Sequence, residues 1–185
     1  MRVIAGTAKG ITLKTPDGLQ TRPTADRVKE AMFSIIQFEL PGARVLDLFG
    51  GTGQLGIEAI SRGAASATFV DQQDKACRLI RDNLTKTGFQ GKSKVICSDY
   101  VSFLKNCKEK YDIILLDPPY MELFLENSLK LISEIDILQT NGIIVTERPA
   151  EKLFDVTISG FSRSRDYKYG KTILTIFRKE DNLEE

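Results

Sequence analysis

From Arg44 onward the chain repeats one unit, a short apolar strand, a tight glycine turn and an amphipathic helix, and that alternation admits few folds. Strands that each lead into a helix pair in parallel, with helices covering both faces of the sheet. Val45-Leu46-Asp47-Leu48-Phe49 reads as the first strand and Gly50-Gly51-Thr52-Gly53 as its turn. The next helix carries Leu55, Ala59 and Ile60, and Gly63 falls at a left-handed C-cap. Ala67 to Val70 is the second strand, and a helix from about Asp74 to Thr87 ends at Gly88. Lys94 to Cys97 is the third strand and Tyr111 to Leu116, with its run Ile113-Ile114-Leu115-Leu116, a fourth buried on both faces. A longer helix is expected from Leu123 to Leu138, after which Asn141-Gly142 turns into the strand Ile143-Ile144-Val145. Two last strands, near Val156-Thr157-Ile158 and from Thr172 to Phe177, close the sheet as an antiparallel hairpin.

The first 43 residues differ in character. Arg2 to Lys14, with Val3, Ile4, Ile11 and Leu13 between glycines, reads as a small hairpin, and Pro16-Asp17-Gly18 as a turn. A helix begins near Thr24, its N-cap, and places Val28, Ala31, Met32, Ile35 and Ile36 on one face. At 185 residues the chain is one domain, an extension over 1–43 and a core over 44–185.

Composition removes several chemistries. No histidine is present, so imidazole bases, Ser-His-Asp triads and most zinc sites are excluded. Cys77, Cys97 and Cys107 form no CxxC pair and leave an odd count, which fits reduced thiols in the cytoplasm. No apolar run approaches a membrane span, and no metal site is expected. With a net charge of +1, any nucleic acid has to be held by a local basic patch.

Gly51-Thr52-Gly53-Gln54-Leu55-Gly56 is a GxGxxG opening a helix after a strand, where free backbone amides can bind polar groups of a ligand. Asp71, twenty-one residues beyond Gly50, is placed to accept hydrogen bonds from both ribose hydroxyls of an adenine-containing cofactor. This much fits NAD, FAD or S-adenosylmethionine alike, and the glycines alone could serve only a tight turn. Asp117-Pro118-Pro119-Tyr120 follows the fourth strand, so it should face the same crevice. An acidic oxygen, a rigid carbonyl and an aromatic ring suit the grip of a planar exocyclic amine. Asp117 and the Pro118 carbonyl accept its two hydrogens while Tyr120 stacks on the ring. A methyl on a sulfonium is the natural electrophile for such a nitrogen. In isolation Pro-Pro-Tyr could equally terminate a loop.

Asp47 to Gly53, Asp71 and Asp117 to Tyr120 resemble the motifs of the Rossmann-like, S-adenosylmethionine-dependent (class I) amino methyltransferases. The start Arg2-Val3-Ile4-Ala5-Gly6, the segment Thr21-Arg22-Pro23-Thr24-Ala25-Asp26-Arg27-Val28-Lys29-Glu30 and the segment Leu55 to Ala64 are similar, more narrowly, to the bacterial small-subunit ribosomal RNA guanine-N2 methyltransferases, the RsmD family. Gly50 and Thr52 stand where that family commonly has Ala and Ser, and Asp71 where it often has Glu. The resemblance implies a single α/β, doubly wound methyltransferase domain acting on one guanine of 16S ribosomal RNA or of a small-subunit assembly intermediate, as a cytoplasmic monomer. It implies that Asp47, Gly50, Gly51 and Gly53 line the methionine end of S-adenosylmethionine and Asp71 its ribose. Asp99 is placed for the adenine amino group, unless it only caps the following helix, and Tyr100 flanks the ring. Asp117, Pro118, Pro119 and Tyr120 are the catalytic set, with no base of raised pKa required. Arg2, Lys9, Arg22, Arg27 and Lys29, and in the tail Arg163, Arg165, Lys168 and Lys171, are candidate phosphate contacts. Two rivals remain: a DNA adenine methyltransferase, for whose separate target-recognition region no length is available, and a dinucleotide-binding module, which leaves Asp117 to Tyr120 unexplained.

Overall fold

The computed structural model describes residues 1–16, 23–119, 123–151, 154 and 156–180. The turn expected at Pro16-Asp17-Gly18, and Arg22 and Tyr120 of the expected site, lie outside the described residues.

The strands are β1 (Arg44–Asp47), β2 (Ser66–Asp71), β3 (Ser93–Cys97), β4 (Tyr111–Leu116), β5 (Leu138–Pro149), β6 (Phe161–Arg163), β7 (Tyr167–Tyr169) and β8 (Thr172–Lys179). They form one sheet in the order β3-β2-β1-β4-β5-β8-β6, with β7 also on β8. The first five pair in parallel and β8 runs antiparallel to β5, β6 and β7. This is the doubly wound, Rossmann-like α/β sheet that the strand–turn–helix alternation dictates. Strand order reverses between β1 and β4, which opens a crevice beyond their carboxyl ends.

Alternation along the central strands sorts the core into two layers. Val45, Ile113, Leu115, Val145 and Leu174 face α1 (Pro23–Ile35), α2 (Gln54–Ser61) and α3 (Asp74–Thr87). Leu46, Leu48, Ile114, Leu116 and Ile144 face α4 (Tyr100–Asn106) and α5 (Phe124–Glu134). Val3, Ala8, Leu13, Val28 and Met32 of the N-terminal extension belong to the first layer. Its first residues make a hairpin reduced to a single antiparallel bridge, Arg2 to Thr12.

Several boundaries differ from the sequence reading. The first helix opens at Pro23, which has no N–H to lose there, so Thr24 lies within the first turn and is not the N-cap. α5 ends at Glu134, because Asp136 takes a left-handed backbone (φ 37°) and its carboxylate is held by Lys110 and Lys179. Leu138 therefore begins β5. Asn141 (φ 63°) and Gly142 do not precede that strand but lie inside it, where its pairing register with β4 shifts. Val156 to Ile158 form no strand: Ile158 is buried and Val156 packs beside it in the second layer, so their spacing marks core contacts. The edge of the sheet is instead β6 and β7, both laid along the same side of β8 and interrupted at 164–166.

Candidate active site

A cavity of about 670 Å³ opens at the crevice beyond β1 and β4. It is lined from the turn after β1, the ends of β2 and β3, and the segment after β4, among them Asp47, Gly50, Gly51, Asp71, Tyr100, Asp117, Pro118 and Pro119. One wall therefore brings together residues that sequence spacing had assigned to a cofactor and to catalysis. Among the described residues no lysine or arginine lines the cavity, and three carboxylates do.

The glycine turn is built by backbone geometry. Gly51 (φ 54°) and Gly53 (φ 79°) take left-handed conformations that other residues adopt only with strain. Gly56 serves a different need, since a Cβ there would sit 2.2 Å from Cε1 of the fully buried Phe69. The close helix–strand approach lets the Gly56 amide donate to Oδ2 of Asp47 at 3.0 Å. Asp47 is 1% exposed, and burial holds its carboxyl up to about 7; the Gly56 amide opposes this and Asp71 adds to it.

Asp71 accepts from the Gly51 amide through Oδ2 at 2.9 Å and from the Gln73 amide through Oδ1 at 2.8 Å. These bonds lock its rotamer at the cavity edge, and each oxygen keeps a second lone pair for a hydroxyl. Phe49, Tyr100 and Phe124 form a ring cluster with centroids 5.4 to 6.1 Å apart, an apolar wall for a planar group. Asp99 accepts from the Ser102 amide at 2.9 Å through Oδ1 and caps α4; that bond holds its carboxyl below the usual range. It is exposed and is not among the cavity-lining residues, although its neighbours Ser98 and Tyr100 are.

Asp117 is half-buried, Pro118 buried and Pro119 exposed. Desolvation pushes the Asp117 carboxyl well above the carboxylate range, and the negative charges of Glu147 and Asp47 add to the effect. The sequence reading required no base of raised pKa, yet the fold provides one at this position.

The basic candidates divide. Arg2, Lys9 and Arg27 are exposed on the extension, and Arg165, Lys168 and Lys171 on or beside β7. Lys29 requires a correction: it is 2% exposed, donates to the Arg2 carbonyl at 2.7 Å and lies 3.8 Å from Glu58, so its ammonium is directed inward. Burial lowers its pKa, opposed by Glu58. Helical spacing put Lys29 next to the apolar Val28 face but could not reveal its buried partner. Arg163 donates to the Phe154 carbonyl and to Asp166, a contact that tethers the strap beside β6.

Residues that sequence spacing missed tie the extension to the site. Glu58, fully buried, accepts from the amides of Ile4 (2.8 Å) and Ala5 (3.0 Å) and from Nε of Arg62 (2.8 Å). Asn83, also fully buried, accepts from the Lys14 amide at 2.7 Å and donates to the Lys14 and Thr52 carbonyls at 3.1 and 2.9 Å. Met1 lines the cavity, its sulfur accepting from the Thr52 hydroxyl at 3.3 Å. The available signal was a polar residue on the apolar face of each helix.

Comparison with known proteins identifies the family. Residues 1–178 match the family model described as Conserved hypothetical protein 95. YlbH of Bacillus subtilis is 39% identical over 182 residues, 97% of this chain and 99% of that protein. Ribosomal RNA small subunit methyltransferase D of Escherichia coli K12 is 31% identical over 180 residues, 97% of this chain and 90% of that one. The solved structure of yhhF from Escherichia coli superposes with a TM-score of 0.87 at 32% identity, covering 97% of this chain and 98% of that one. The chain belongs to the Conserved hypothetical protein 95 family, the family it shares with ribosomal RNA small subunit methyltransferase D.

Proposed function

We propose that this protein transfers the methyl group of S-adenosylmethionine to the exocyclic N2 amine of one guanine in small-subunit ribosomal RNA. The observation that carries the reading is electrostatic: the cavity beside the glycine turn presents Asp47, Asp71 and Asp117, and among the described residues no lysine or arginine lines it. A dinucleotide would bring a diphosphate against that acidic wall, whereas a ligand with a sulfonium and an ammonium is attracted to it. This disfavours the dinucleotide-binding module that GxGxxG alone allows. The donor set suits the group: buried Asp47 for the ammonium end, Asp71 for the ribose, Tyr100 with Phe49 and Phe124 for the adenine, and Asp99 for the adenine amine through its second oxygen. Bound there, S-adenosylmethionine supplies a methyl on a positively charged sulfur.

The residues then position and deprotonate. Asp117 and the Pro118 carbonyl accept the two N2 hydrogens, and stacking on the base is the role assigned to Tyr120. Two acceptors draw the nitrogen lone pair out of conjugation and toward the methyl carbon. The nitrogen sheds one proton to Asp117 as it takes the methyl, which S-adenosylmethionine would supply with the bonding pair left on its sulfur. A carboxylate of raised pKa in that position is the better acceptor. Orientation and exclusion of water supply the rest of the rate. Arg2, Lys9 and Arg27, with Arg165, Lys168 and Lys171, contact phosphates around the exposed base. The 31% identity to ribosomal RNA small subunit methyltransferase D supports the choice of RNA.

Calorimetric titration with S-adenosylhomocysteine and with NAD tests the cofactor, and transfer of labelled methyl to unmodified small subunits, naked ribosomal RNA, transfer RNA and DNA tests the substrate. Binding of the first ligand alone and label in small-subunit RNA are expected. Tight NAD binding, or label confined to DNA or transfer RNA, would refute the assignment.

A further inference from the structure

Glu147 occupies a position that the reaction above leaves without a task. It lies near the end of β5, in a strand whose preceding residues Ile143 to Thr146 are all buried. Leu116, the last residue of β4, pairs with Thr146 in parallel register, so Asp117 just past the end of β4 and Glu147 of β5 follow directly on a paired position. Residues in register on parallel strands project to the same face. Alternation fixes which face this is: Leu115 and Val145, two residues earlier on each strand, both belong to the layer beneath α2 and the N-terminal extension. Asp47 projects to that face from β1, two positions below Asp117 in register. On the far side, Glu147 pairs with Leu174, and Leu174 with Tyr167, so the row ends at the half-buried ring of Tyr167 on β7. Glu147 is half-buried, and its charge acts on the Asp117 carboxyl.

The hydrogen-bonding edge of guanine gives this juxtaposition a meaning. Its N2 amine and N1–H are donors on adjacent ring positions, while adenine and cytosine carry a lone pair at the ring nitrogen beside their amines. A guanine whose N2 is held at Asp117 and whose N1 side is turned toward β5 would bring N1–H to Glu147. We infer that Glu147 determines base specificity, its carboxylate accepting the N1–H of guanine while its negative charge repels the ring-nitrogen lone pair of adenine or cytosine. The inference rests on the guanine-N2 reading and deepens it: two carboxylates in register read two adjacent donors. Asp117 is the catalytic residue; Glu147 selects the base.

The test uses RNA containing the nucleotide that the wild-type protein methylates, with either guanine or 2-aminopurine at that position. 2-Aminopurine keeps the exocyclic N2 amine but has a lone pair at N1. The wild-type protein is expected to prefer guanine in kcat/KM by roughly 10- to 100-fold, the factor for a hydrogen bond to a charged group left unmade. Glu147→Gln, whose carboxamide can turn its NH2 toward the N1 lone pair, is expected to bring the two substrates within about threefold of each other by removing that charged discrimination. Its affinity for S-adenosylhomocysteine should stay at the wild-type value, which separates specificity from damage to the fold. Equal wild-type turnover of both RNAs would overturn the inference while leaving the guanine-N2 reading intact. So would a Glu147→Gln protein that slows on both and keeps the wild-type preference. Absence of N2-methylguanine from the guanine RNA with the wild-type protein would overturn both.

Discussion

The carboxylate of Asp71, at the end of β2, accepts the Gly51 amide at 2.9 Å, so the residue proposed to hold the ribose also fixes the turn proposed to hold the rest of the ligand. Loss of Asp71 should therefore act on binding more than on chemistry. Asp71→Ala is expected to raise the Kd for S-adenosylhomocysteine by roughly 10- to 100-fold, the range for charge-assisted hydrogen bonds lost. Calorimetry decides it, and an unchanged Kd rules out the ribose role.

Asp47 gives the site a pH dependence of definite sign. Its carboxyl titrates at about 7 in the folded chain and near the ordinary value of about 4 when unfolded, so between these pH values only the folded state holds this proton. Folding stability from this group is present below about pH 4 and is lost as pH rises to about 7. Ligand binding runs the opposite way, because a cation in the cavity favours the ionised carboxyl. Affinity for S-adenosylmethionine should climb from pH 5.5 and level off above about 7, with proton release in the acid range, and Asp47→Asn should flatten the climb. Titrations in buffers of different ionisation enthalpy measure both effects.

Glu58 is the hub of the extension. Glu58→Gln leaves Lys29 without its buried counter-charge and replaces an acceptor-only group facing two backbone amides and Arg62. Breaking a buried pair from one side costs about 3–5 kcal/mol. Urea unfolding should show a loss of that size, whereas Lys14→Ala, at an exposed pair with Asp82, should cost less than about 1 kcal/mol.

Gly56→Ala should destabilise the chain by about 1–3 kcal/mol, because Phe69 has no room to yield a methyl group's volume. Thermal unfolding reads this directly, and a wild-type midpoint would show that helix and strand can separate there without cost.

The sheet and the cavity were legible in the sequence for local reasons. Asp74 to Thr87 ends at Gly88 (φ 75°), as its C-cap position requires, and Tyr111 to Leu116 is bounded by the acid and prolines that follow. Asp47, Gly51, Asp71 and Asp117 converge because parallel strands deliver their carboxyl ends to one edge. What sequence could not supply depended on contacts distant along the chain. Lys29 reads as a surface base until Glu58, 29 residues away, is seen beneath it. Asn83 reads as an ordinary helical residue until the Lys14 and Thr52 backbones are placed against it. Leu138 reads as helical because an apolar residue at helical spacing carries no mark of the left-handed Asp136 that stops the helix first. Glu147 acquires significance only when β5 is set in register beside β4.

Methyl transfer by wild-type and Asp117→Ala protein is to be measured first, on unmodified small ribosomal subunits with nucleosides identified by mass spectrometry. N2-methylguanosine at one site is expected with the wild-type protein. In the variant its yield should fall roughly 10³-fold or more, with affinity for S-adenosylhomocysteine within about threefold of wild type. Methyl on another atom or base, or equal loss of turnover and cofactor binding in the variant, would contradict the guanine-N2 reading.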